Sequence, residues 1–106
     1  MGIDETLVDE IVRRVTSAVP VARIILFGSA ATGQMTRDSD VDLLVLKESV
    51  ANRHEDWKRV QQSLRGMKYP FDIIIMTKER FEETKNIIGG IAYPAHKYGR
   101  ILYEAA

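Results

Sequence analysis

The chain contains no cysteine, which removes disulfides, thiolate–metal sites and thiol nucleophiles from consideration. It has no excess charge of either sign: 15 Lys and Arg balance 15 Asp and Glu. A neutral chain has no global field for a phosphate backbone, so direct nucleic-acid binding is disfavoured. No apolar run approaches the ~18 residues of a membrane span. The two histidines, His54 and His96, lack the spacing of a metal pair. There is no internal repeat, low-complexity tract or linker. The opening residues, MGIDETLVDEIVRR, are acidic and amphipathic, unlike a signal or transit peptide, so a cytoplasmic protein is expected.

What is present suits one α/β domain over residues 1–106, with a 45% hydrophobic content adequate for an ordinary core. Ile3, Leu7, Val8, Ile11, Val12 and Val15 share a helical face, with Asp4 as N-cap and Pro20 as the stop. VARIILF reads as a strand ending at Gly28, Thr32 to Ser39 as a loop, and VDLLVLK as the next strand. Ser49 to Arg65 carries Val50, Trp57, Val60 and Leu64 at helical spacing, ending at Gly66. FDIIIMT is a third strand, with Thr77 capping the helix KERFEETKNII, which Gly89 and Gly90 break. A short helix near Pro94–Tyr98 and a final strand, RILYE, complete the chain. The helix between VDLLVLK and FDIIIMT has the length of a parallel crossover. The expected architecture is a small mixed sheet with helices packed against it.

The informative stretch is LFGSAATGQMTRDSDVDLLVL. Side chains alternate faces along a strand, so Asp40 and Asp42 point one way while Val41 points the other. Asp72 holds the equivalent place in FDIIIMT. If the two strands are neighbours, ~4.8 Å apart, three carboxylates converge on one end of the sheet. At ~5 Å and an effective dielectric of ~20, each pair repels by about 3 kcal/mol. Protonation or a cation must relieve that. Carboxylate oxygens without His or Cys favour Mg2+ or Mn2+ over zinc. A pair of such ions held by Asp40, Asp42 and Asp72 suits in-line phosphoryl displacement. Gly28 can take a positive φ and admit a phosphate to the backbone, and Ser29 adds a hydroxyl at the start of the following turn.

Plainer readings compete at each position. Asp at a strand entrance is commonly a turn residue, and Asp38 and Ser39 read as turn-formers. GSAATGQM has the G-x-x-x-x-G spacing of a P-loop, but Gln34 and Met35 stand where Lys and Ser or Thr are required. Phosphatases with an aspartate nucleophile place it after a hydrophobic strand, whereas these acids precede one.

Gly28-Ser29, ten intervening residues, Asp40-x-Asp42 and the later Asp72 resemble the DNA polymerase beta-type nucleotidyltransferase superfamily. With the short length, SDVDLLV and the terminal GRILYE, the chain looks like its minimal nucleotidyltransferase (MNT) branch. The resemblance implies a nucleotidyltransferase fold, with a nucleoside triphosphate, ATP foremost, bound by its phosphates at Gly28 and Ser29. It implies magnesium or manganese held by Asp40, Asp42 and Asp72, with Asp72 also helping to deprotonate the acceptor hydroxyl. Many MNT proteins are antitoxins partnered with a HEPN-type toxin, and some transfer AMP to a tyrosine of that partner. One departure is visible: the family often has Gly-Ser-x-Ala-Arg-Gly, and Thr32 stands here for the arginine, with Arg37 as a substitute nearby.

The sequence therefore supports an enzyme moving AMP, or another NMP, to a partner hydroxyl. Two further readings stand beside it: an antitoxin that neutralises a HEPN ribonuclease by covering it, and the catalytic subunit of a small-molecule nucleotidyltransferase. His54 and His96 read as surface residues and Trp57 as core. Tyr93, Tyr98 and Tyr103 read as rim packing or as a partner surface. Lys78, Glu79, Arg80, Glu82, Glu83 and Lys85 read as a solvated helix face with i,i+4 pairs.

Overall fold

A computed structural model describes residues 4–33 and 40–106. The expected helix residue Ile3, the P-loop mismatches Gln34 and Met35, the alternative cation Arg37 and the turn-formers Asp38 and Ser39 lie outside the described residues.

Helix α1 (Glu5–Ala18) starts where Asp4 accepts a hydrogen bond from the Leu7 amide at 2.8 Å. It ends two residues before Pro20 and buries Val8, Ile11 and Val15. Strand β1 (Arg23–Phe27) leads through Gly28 into a single helical turn, α2 (Ser29–Thr32). Strand β2 (Val41–Lys47) follows, then helix α3 (Arg53–Ser63), strand β3 (Phe71–Thr77), helices α4 (Lys78–Thr84) and α5 (Ala92–Tyr98), and strand β4 (Arg100–Glu104).

The sheet order is β3-β2-β1-β4. β2 and β3 run parallel, joined by α3 as the crossover, while β1 is antiparallel to both β2 and β4. Helices cover both faces of the sheet. On one side, α1 and α3 close over Ile24, Leu26, Val41, Leu43, Val45, Ile73 and Ile75. On the other, Phe81 of α4 and Ala92 and Ala95 of α5 close over Ile25, Phe27, Leu44 and Leu46. This explains why β2 is apolar without alternation from Leu43 to Leu46: a strand sandwiched between two helical layers is buried on both faces. Each fully buried Leu, Ile or Val contributes about 1.5–3 kcal/mol.

Three details depart from the sequence reading. The turn after Gly28 is helical through Thr32 rather than loop from that residue onward. Helix α3 begins later than Ser49, because the Asn52 side chain accepts the Glu55 amide at 3.0 Å and sets the first turn there. Helix α4 stops at Thr84 rather than running on to Ile88, since Ile87 and Ile88 are 58% and 79% exposed and bring no buried face to extend it. Thr77 caps α4 as expected, accepting from the Arg80 amide at 3.1 Å.

Candidate active site

The site lies where β1 ends and β2 and β3 begin. The parallel register sets Asp42 directly beside Asp72, and the antiparallel register sets Asp42 beside Phe27, the residue before Gly28. Both aspartates belong to the strand positions that face α4 and α5, the face of Leu44 and Ile74. Asp40 stands just before β2, exposed, as Asp72 is. Asp42 is partly buried, and its carboxyl is pushed above the usual aspartate range, first by burial and then by the charges of Asp72 and Asp40.

Gly28 is held at φ 72°, ψ −153°, a region open essentially to glycine alone. A Cβ built there would stand 2.3 Å from Asp42 Oδ2. The glycine therefore does two things: it makes the strand-to-helix reversal, and it leaves the space the Asp42 carboxylate occupies. In α2 the amides of Ala31 and Thr32 both donate to the Gly28 carbonyl, at 3.1 and 3.3 Å. Those of Ser29 and Ala30 precede the first closed ring and have no partner within the turn. Gly33, at φ 78°, ends that turn. The Thr32 hydroxyl lies 3.4 Å from both the Gly28 and Ser29 carbonyls, so it bonds back onto its own turn and brings no charge to the site.

Among the described residues, no three His, Cys, Asp or Glu side chains are gathered into a ready-made metal cage. A hard divalent ion takes oxygen ligands, and the acids at this end of the sheet offer only those. Asp40, Asp42 and Asp72 are the residues that would hold it.

Trp57 departs from its expected core position. It is 37% exposed and stacks on His54 with ring centroids 5.8 Å apart. Together with Arg53, Ile73, Ile74 and Ile75 these rings line a groove of about 420 Å³ beside β3. The sequence concealed this because α3 is an edge helix, and helical spacing does not distinguish the middle of a buried stripe from its margin. Of the tyrosines, Tyr103 packs against the core while Tyr98 is 57% exposed, so rim packing and surface display both occur. The sequence also hid the largely buried pair of Lys47 Nζ and Asp56 Oδ2, 2.8 Å apart, since no pattern links those two positions.

The family described as "Nucleotidyltransferase domain" matches residues 8–93. Among solved structures, the chain is similar to a chain of a toxin–antitoxin complex with AMP-PNP, at TM-score 0.72 and 19% identity, covering 92% of this chain and 73% of that one. It is also similar to a chain of a mutant toxin–antitoxin MntA–HpeT, at TM-score 0.68 and 17% identity over 92% and 73% of the two chains. A third likeness is to a chain of the tri-AMPylated Shewanella oneidensis HEPN toxin in complex with MNT antitoxin, at TM-score 0.65 and 15% identity, with coverage of 97% and 74%. At these identities the likeness is one of fold. No curated protein sequence matches the chain.

Proposed function

The chain belongs to the nucleotidyltransferase domain family, and from that premise we propose that it transfers AMP from ATP to a hydroxyl, foremost a tyrosine, of a HEPN-type toxin in the cytoplasm, acting as its antitoxin. The observation that carries the proposal is the register of Asp42 against Asp72 beside a glycine with no room for a Cβ. The toxin–antitoxin complexes similar to it in fold supply the partner class.

In this reading Gly28 and Ser29 receive the triphosphate, the glycine admitting it close to the backbone and the serine hydroxyl binding a phosphate oxygen. Asp40, Asp42 and Asp72 would hold Mg2+ or Mn2+, which supplies charge neutralisation at the reacting phosphate. Asp72, exposed on the first strand residues of β3, takes the proton of the acceptor hydroxyl. The hydroxyl oxygen forms a bond to the α-phosphorus, the bond from that phosphorus to the β-phosphate bridge breaks, and pyrophosphate leaves.

The test is incubation with ATP, Mg2+ and the HEPN toxin encoded beside it, followed by intact mass. The expected result is a gain of one AMP, or a small whole number of them, on the toxin, lost in Asp42→Asn. Neutralisation of the toxin that survives both Asp40→Asn and Asp42→Asn favours masking instead, a reading that the uncharged Thr32 supports.

A further inference from the structure

β3 is a terminal strand of the sheet, and nothing pairs with its outer edge among the described residues. The direction of its backbone groups follows from one hydrogen bond. The Val41 amide donates to the Pro70 carbonyl at 2.9 Å, so residues 70, 72, 74 and 76 turn their backbone groups toward β2. Residues 71, 73, 75 and 77 turn theirs outward. Consistently, Gln61 Nε2 donates to the Phe71 carbonyl at 3.2 Å from outside the sheet. That leaves the outward amides and carbonyls of Ile73 and Ile75 as an open pairing edge.

Natural edges are usually blunted by charge, proline or a bulge. From Ile73 to Thr77 this one has none of them. Beside it, on the α3 face, lies the groove lined by Arg53, His54, Trp57, Ile73, Ile74 and Ile75. Arg53, which lines the groove, makes no ion pair among the described residues, so the groove carries a positive charge that no described carboxylate answers. The edge runs straight into the site, because Asp72 is the second residue of β3.

The geometry points to this edge as the acceptor site: the segment carrying the target hydroxyl docks as an added strand on β3. The inference rests on the transferase reading for the role of Asp72 and adds the shape of the substrate. Cross-strand neighbours share a face, with Cβ atoms ~5 Å apart. A residue of the added strand opposite Asp72 therefore projects toward the carboxylates, within reach for a serine, threonine or tyrosine. Its immediate chain neighbour, opposite Ile73, projects to the α3 face against Trp57 and is apolar. Two residues further, opposite Ile75, the side chain meets Arg53 and is acidic. The motif is hydroxyl–apolar–any–acidic, read in whichever direction the strand runs. A second copy of this chain fits less well. Two-fold pairing centred on Ile73 or Ile74 would set Ile74 or Met76 against the Asp72 carboxylate.

The probe is the blocked peptide Ac-Glu-Thr-Val-Tyr-Val-Thr-Glu-amide, which carries the motif in both directions, with a twin N-methylated at alternate backbone amides. Amide exchange is followed in the full chain. The peptide slows exchange at Ile73 and Ile75 by about tenfold or more and leaves Ile74, already bonded to β2, unchanged. The methylated twin fails to do so, and Trp57→Ala binds the peptide about tenfold more weakly. With Mg2+ and ATP, the tyrosine of the unmethylated peptide gains AMP. If Mg2+ with ATP raises the melting temperature but Ile73 and Ile75 stay unprotected, the docking mode is wrong while the transferase reading stands. Protection at those amides with no response to Mg2+ and ATP upholds docking and overturns the transferase reading. Protection in the absence of peptide, together with a dimer in sedimentation, gives the edge to a second copy and overturns the inference.

Discussion

Replacing Gly28 by alanine probes the join between backbone and carboxylates. Two costs are predicted. The first is conformational: φ 72° with ψ −153° is a glycine region, and holding alanine there costs about 1–3 kcal/mol. The second is steric: the new Cβ would lie 2.3 Å from Asp42 Oδ2, a contact that forces the carboxylate to rotate. Rotation of a side-chain terminus is cheap in stability, but it moves the carboxylate flanked by Asp40 and Asp72. For a domain of this size the melting temperature should fall by roughly 5–20 °C, at ~4–8 °C per kcal/mol. Transfer activity should fall further than stability explains. Gly33→Ala is the control, because Gly33 also has a positive φ, 78°, but a Cβ added there would meet nothing within 4 Å. That change should cost about 1–2 kcal/mol and spare Asp42. The melting point is read by calorimetry, and the Mg2+- and ATP-dependent rise in it reports the site. An unchanged melting point and an unchanged ligand response in Gly28→Ala would refute the argument.

Other expectations are narrower. Asp42→Asn removes a like charge whose neighbours at ~5 Å are exposed, so an effective dielectric nearer ~80 applies and the ligand-free fold should gain about 1 kcal/mol. Denaturant melts check this, and a destabilised Asp42→Asn would contradict a repulsive cluster. Asp56→Ala strands the Lys47 ammonium, 13% exposed, and should cost about 3 kcal/mol, most of it regained in Lys47→Met with Asp56→Leu. Glu82 has a lowered pKa, first through its hydrogen bond from Lys85 and then through the charges of Lys85 and Arg23. A carboxyl lowered on folding stabilises above its unfolded pKa of ~4.3 and loses that contribution as pH falls through the folded value. The melting-point gap between the wild type and Glu82→Gln should be open at about pH 7 and close in acid; a gap independent of pH would sink the assignment.

Much of what the proposal draws on was legible in the chain because its signals are local. Asp40-x-Asp42 shares a face by strand periodicity alone, and Gly28 reads as a residue needing an unusual backbone. The place of Asp72 was legible as a position within its strand, and became a contact only through the parallel register with β2. Trp57 and the Lys47–Asp56 pair were not legible, since their environments come from elements distant in sequence. The end of α4 was misread because the isoleucines Ile87 and Ile88 find no surface to bury against.

By itself the sequence determined the strands and the helix caps at Asp4 and Thr77, both consequences of side-chain type and short-range spacing. Only the tertiary structure decided that helices cover both sheet faces, that Gly28 makes room for Asp42, and that β3 lies at an open edge. Those are questions of which surfaces meet, and they are settled by packing between residues far apart in the chain, where periodicity carries no information.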